Sequence, residues 1–165
     1  MKRWKTHAPT WKRRSSVLVA NESRDVVTAR RQTITKQWFE QQSQRFECIV
    51  SSAVEEECRE GNPEQAARRL AVLANLSTLE VNEEIIELAT LLLVPGGLPA
   101  GSRLDAIHLA AATVYECDFL LTWNIRHIAN ASIRRVTERI IKAHGYEPTT
   151  VCTPEELFGL DTLGG

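Results

Sequence analysis

The stretch Asp118-Phe-Leu-Leu-Thr-Trp-Asn124 limits the fold more than any other part of the chain. Phe119 to Trp123 is a nearly unbroken apolar run between an aspartate and an asparagine, and a run of that length reads as a strand covered on both faces. Such strands belong to parallel sheets flanked by helices. The preceding segment, Leu104 to Tyr115, is apolar on most sides, and its polar residues Asp105 and His108, with Glu116 beyond, fall near one narrow stripe at helical spacing. A helix leading into a buried strand is half of an α/β crossover. In open α/β sheets the working crevice lies beyond the carboxyl ends of the strands, which directs Asn124 and Asp105 toward one cleft.

Composition sets the scale of what surrounds this unit. With 165 residues, 43% of them hydrophobic and 25% charged, the chain suits a single α/β domain with a substantial core. Its charge is uneven: residues 1–14 hold six Lys or Arg and no acid, and the rest holds 14 basic against 21 acidic residues, a net −7. Cys48, Cys58, Cys117 and Cys152 form no C-x-x-C pair and no zinc-like spacing with histidine, so reduced thiols in a cytoplasmic protein are expected. Val17 to Ala20 is too short for a signal-peptide core, and no segment has the length of a membrane span. The expected organisation is an irregular basic leader at 1–17, a domain at 18–158 and a flexible tail at 159–165.

Helix and strand signals alternate along the domain. Ser23 is a candidate cap for a helix to about Gln42 with Val27, Ile34 and Trp38 on one side. A short strand runs from Phe46 to Ser51, and Ser52-Ala-Val-Glu55 has the form of a capping box opening the next helix. Gly61-Asn-Pro63 separates it from a helix to Ala74, Thr78 to Val81 is a brief strand, and Asn82 caps a helix that Pro95-Gly-Gly97 stops. After the central stretch, Ile133, Val136, Ile140 and Ala143 mark the inward side of a helix closed by Gly145, with Arg135, Arg139 and Lys142 outward. Thr150 to Cys152 is an edge strand, and Thr153-Pro-Glu-Glu156 starts a last helix. This alternation predicts an α/β layer fold with a mostly parallel sheet.

Two acids stand out. On a helix turning about 100° per residue, Glu57 projects between Ala53 and Val54 on the inward side, while Glu56 points away and Glu55 is the box partner. A carboxylate facing a core must be paired or bind a cation. Glu57 with Asp105 would offer hard oxygen ligands of the kind Mg²⁺ or Mn²⁺ takes. Plainer readings stand beside this one. Ser102-x-x-Asp105 is also a capping-box pattern, Glu57 is also a salt-bridge partner, and Asn124 is also a turn residue. His108 and His127 read as structural or surface histidines, and the basic stripe as a solvated face.

Taken together, the inward Glu57 in E-C-R-E-G, Leu104-Asp-Ala-Ile-His-Leu-Ala-Ala-Ala112 and Asp118-Phe-Leu-Leu-Thr-Trp-Asn-Ile-Arg-His-Ile-Ala-Asn130 resemble the PIN-domain nucleases. Within them the likeness is to VapC-like toxins of bacterial toxin–antitoxin pairs, and it spans about Ser23 to Leu157. It implies a three-layer PIN-like fold and a Mg²⁺- or Mn²⁺-dependent endoribonuclease, with RNA as substrate, a cognate antitoxin as partner and a homodimer as assembly. Glu57, Asp105 and Asn124 would be its catalytic and metal-binding residues. Asn124 takes a place often filled by aspartate, and Thr122 would support it by hydrogen bonding. The cation would activate a water and neutralise charge at the scissile phosphate, while Arg126, Arg135, Arg139 and Lys142 held the RNA backbone.

One segment departs from that pattern. PIN domains open with a buried strand bearing an acidic ligand, and here Pro9-Thr-Trp-Lys-Arg-Arg-Ser-Ser-Val17 is too polar to be read as a central strand. The shifted reading frame is informative. Trp11 is encoded by TGG and Lys12 begins with AA, so the shifted codon across them is GAA, glutamate, whichever lysine codon is used. With suitable synonyms the shifted frame reads Tyr-Leu-Glu-Thr-Ser-Val-Ile-Ser, which has the form of the missing strand. The segment thus reads as frame-shifted, with in-frame residues resuming near Leu18. Two rivals to the nuclease follow: a catalytically inactive PIN-like remnant that binds antitoxin or RNA, and a flavodoxin-like domain. The latter is disfavoured because Pro95-Gly-Gly97 follows a helix, not a strand.

Overall fold

A computed structural model describes residues 13–17, 26–42, 45–124 and 126–158. Their elements run β1 (Arg13–Val17), α1 (Val26–Gln42), β2 (Phe46–Ser51), α2 (Ser52–Arg59), α3 (Pro63–Leu73), β3 (Ser77–Leu79) and α4 (Glu83–Leu92). They continue with α5 (Arg103–Val114), β4 (Phe119–Leu121), α6 (Ala131–Ala143), β5 (Thr150–Cys152) and α7 (Pro154–Phe158). The strands form a five-stranded sheet in the order β3-β2-β1-β4-β5, with every pairing parallel. This is the mixed α/β architecture expected from the alternation of helix and strand signals.

The reading of residues 9–17 is corrected at its second half. Backbone from Arg13 to Val17 forms the central strand, with Ser16 opposite Ile49 on one side and Leu120 on the other. Neighbouring strands on both sides supply its ladder, so its position is set by pairing rather than by its own composition. Residues 1–12, the Ser23 cap and the tail at 159–165 lie outside the described residues.

The short β4 is what the apolar run predicted, although it ends at Leu121. Leu120 and Val151 pack into one cluster with Ile85, Leu88, Leu92, Ala106 and Ala110, on the side of α4 and α5. Phe119, Leu121 and Cys152 pack into a second cluster with Trp38 and Leu157, from α1 and α7. Successive strand residues point to opposite faces, so β4 is buried on both. Trp38 meets Phe39 edge-on at 5.4 Å and Phe46 at 5.5 Å between ring centroids. On α6 the most buried residues are Thr137 and Ile141; the expected inward Ala143 is exposed, while Ile133, Val136 and Ile140 are partly buried. The four cysteines are free, and no described helix is long and apolar enough to cross a membrane.

Three of the described helix starts, those of α2, α5 and α7, carry Ser or Thr three residues before an acid, and only one becomes a capping box. At α7 the Thr153 amide donates to Glu156 Oε2 (2.8 Å) and the Glu156 amide to Thr153 Oγ1 (3.2 Å). At α2 the cap position is Ser51, without a side-chain cap bond; Ser52 accepts from the Val81 amide, while Glu55 accepts from Thr78 and pairs with Arg59. At α5 Ser102 occupies the cap position but makes no cap bond. Its acid, Asp105, is engaged elsewhere.

Candidate functional site

Asp105 lies in the first turn of α5, on a helix whose buried side packs Ala106, Leu109, Ala110, Ala111 and Ala112 into the core. Its carboxylate turns away from its own helix terminus toward the loop after β4. Asn124 Nδ2 donates to Asp105 Oδ1 and Oδ2, both at 2.9 Å, and His127 Nδ1 lies 2.9 Å from Oδ2. Ionised, Asp105 can only accept, so the ring carries its proton on Nδ1 and donates to it. The Ser102 hydroxyl stands 2.9 Å from the same ring nitrogen.

Asn124 is fixed from three directions. Its backbone amide donates to Thr122 Oγ1 at 3.0 Å, its side-chain oxygen accepts from the His127 amide at 3.3 Å, and its carbonyl accepts from the Ala129 amide at 3.1 Å. The expected support from Thr122 is therefore present. The amide's orientation follows from its partners: turned over, it would point its NH₂ at the His127 N–H and its oxygen at the Asp105 carboxylate.

A second polar group lies on the other side of β1. His108, three residues after Asp105 and buried on the same face of α5, stands with Nδ1 3.5 Å from Ser51 Oγ, at the end of β2. Its Nε2 lies 3.7 Å from Glu57 Oε2. Glu57 is half exposed rather than turned into the core, and the buried residues of α2 are Ala53, Val54 and Cys58. Its pKa is lowered, first by hydrogen bonding with His108 and further by the charges of His108 and Arg69; burial opposes them. Arg69 also anchors the end of α2, donating to the Cys58 carbonyl from Nε at 3.2 Å and Nη2 at 3.0 Å.

Helix α5 thus supplies one member to each of two acid–histidine pairs, His108 with Glu57 beyond β2 and Asp105 with His127 beyond β4, with β1 between those strands in the sheet. Sheet order reverses between β1 and β4, which is where α/β sheets open their crevice. Of the three residues singled out in the sequence, Asp105 and Asn124 touch, and Glu57 belongs to the second group. Sequence reasoning missed His127 as a partner of Asp105, and it paired Ser102 with Asp105 as a capping box where the Ser102 hydroxyl stands beside His127. The available signal was the spacing Asn124-x-x-His127 directly after a strand, which returns both residues to one side of a turn.

The donor set was tested against a divalent cation. Carboxylate and amide oxygens are the right chemistry for Mg²⁺ or Mn²⁺, but N–H groups face both oxygens of Asp105, and the Asn124 oxygen is engaged by His127. Among the described residues no three His, Cys, Asp or Glu side chains are grouped so as to hold a metal ion. As arranged, these residues do not fit the cation. Comparison with models of known protein families and with curated proteins finds no match for the chain.

Proposed function

We propose that this chain is a PIN-type domain of the VapC class, the three-layer architecture of Mg²⁺-dependent endoribonucleases, with Glu57, Asp105 and Asn124 marking the RNA cleft. The observation that carries this reading is the direct contact of Asp105 with Asn124 beyond β4, at the point where sheet order reverses. The acid that a capping box would have used is directed into the crevice instead. Support also comes from Arg126, Arg135, Arg139 and Lys142, all exposed, the last three on one side of α6. They offer phosphate contacts on an otherwise acidic body.

With residues 1–17 as they stand, the cleft binds RNA, or an antitoxin segment, without cutting. What favours this over the active endoribonuclease is the pairing just described: both oxygens of Asp105 are engaged by N–H donors, and a polar segment occupies the central strand. Incubation of the chain with a labelled single-stranded RNA and Mg²⁺ or Mn²⁺ tests it. Retention of the RNA without cleavage is expected; metal-dependent cleavage that disappears in Asp105→Asn would establish the active enzyme instead. Failure to bind RNA or an antitoxin peptide would remove the functional reading altogether.

A further inference from the structure

The chain holds two described tryptophans in contrasting settings. Trp38 is fully buried among Phe39, Phe46 and Leu121, as a core residue should be. Trp123 is only partly buried, immediately before Asn124, and its stacking partner is a cation: the Arg31 guanidinium sits 5.5 Å from the ring centroid. The ring's orientation is locked. Trp123 Nε1 donates to Thr35 Oγ1 at 2.9 Å, and the same hydroxyl donates to the Arg31 carbonyl at 2.8 Å, so one turn of α1 holds both the indole and the arginine. Trp123 is tied to α1 while Asn124 is tied to α5, so the two residues flank the carboxyl end of β4 from opposite sides.

We infer that the Arg31–Trp123 stack is a nucleobase platform, which seats one base of a single-stranded RNA beside the Asp105–Asn124 cleft. The inference rests on the RNA reading above and adds how the strand is held. A rigid, partly open π-surface layered with a guanidinium is what unpaired bases stack on, and neither group reads base identity. Exposed Arg126, two residues beyond Asn124, supplies charge for the adjoining phosphate. Stacking of this kind is insensitive to sequence, so the platform gives affinity and strand register, not recognition of one base.

The test is fluorescence anisotropy of the full chain with a labelled oligoadenylate and with an abasic oligomer of equal length. Wild type should prefer the base-bearing strand by roughly tenfold. Arg31→Gln, which leaves the Thr35–Trp123 bond in place, and Trp123→Leu should erase most of that preference while the abasic strand binds as before. Arg135→Ala should weaken both strands alike. Equal wild-type affinity for the two strands, or variants that lose both equally, would overturn the platform and leave the RNA reading standing. No RNA binding by wild type would overturn both.

Discussion

β1 and β4 are neighbours in the same parallel sheet, paired Ser15 to Phe119, Ser16 to Leu120 and Val17 to Leu121, yet they are opposites in sequence. β4 is Phe-Leu-Leu, every residue buried. β1 is Arg-Arg-Ser-Ser-Val in the most interior position of the sheet, where strands are ordinarily continuous apolar runs. The difference separates two ways of acquiring a place in a fold. β4 has its place through its own side chains, which join both core clusters, whereas β1 has its place through backbone ladders offered by β2 and β4. It also has a consequence for the cleft. On either side of β1 an acid faces a histidine, Glu57 with His108 beyond β2 and Asp105 with His127 beyond β4, and the strand between them is Ser-Ser-Val at its end.

A large effect should come from making the two strands alike. Replacing residues 10–17 by the shifted-frame sequence Tyr-Leu-Glu-Thr-Ser-Val-Ile-Ser puts valine and isoleucine at positions 15 and 16 and serine in place of Val17, a net gain of one such side chain, whose burial is worth about 1.5–3 kcal/mol. Urea denaturation should show the gain, and an unchanged midpoint would mean that β1 is not packed as a central strand. Sequencing the DNA across these codons bears on the same point: a compensating insertion or deletion near the Leu18 codon is expected, and its absence would sink the frame-shift reading.

Damaging the better strand should act in the opposite direction. Leu120→Ala, at a fully buried position, is expected to destabilise by about 2–5 kcal/mol, while Ser16→Ala beside it in register should stay within about 0.5 kcal/mol. Equal effects would erase the contrast. Asp105→Asn comes next. It removes the charge and turns one of the two oxygens that serve Asn124 and His127 into a donor, and should lower stability by about 1–3 kcal/mol while the fold, followed by circular dichroism, is kept.

The smallest effect concerns the group on the β2 side. Because the folded-state pKa of Glu57 lies below its ordinary value of 4.5, its contribution is complete above that value and is lost as pH falls through the depressed folded value. Glu57→Gln should therefore flatten the acid limb of a stability–pH curve and leave the neutral region nearly unchanged; an unaltered acid limb would show that His108 does not hold the carboxylate.

What the sequence disclosed depended on how local the cause was. The Asn82 cap, whose side chain accepts from the Ile85 amide at 3.0 Å, and the Thr153–Glu156 box were legible because their partners lie within one turn. The burial of β4 and the meeting of Asp105 with Asn124 were legible because apolar continuity and the strand-end rule need no other segment. Elsewhere distant residues decided. Ser52 and Ser102 carry the same capping pattern as Thr153, but Thr78 takes Glu55, and Asn124 and His127 take Asp105. Helical angles placed Glu57 toward the core; in the folded chain it stops at the boundary, facing His108. β1 was illegible for the strongest form of this reason, since both its ladders belong to other strands.

The most direct test of the central claim, that the cleft's acids in this chain hold N–H donors and not a cation, is Mn²⁺ titration calorimetry. It should be run on the chain as it stands, on Asp105→Asn and on the chain carrying the shifted-frame strand. No saturable binding in the first two and binding in the third is the predicted result. Saturable binding by the unaltered chain that vanishes in Asp105→Asn would contradict the account and make the cleft a working metal site.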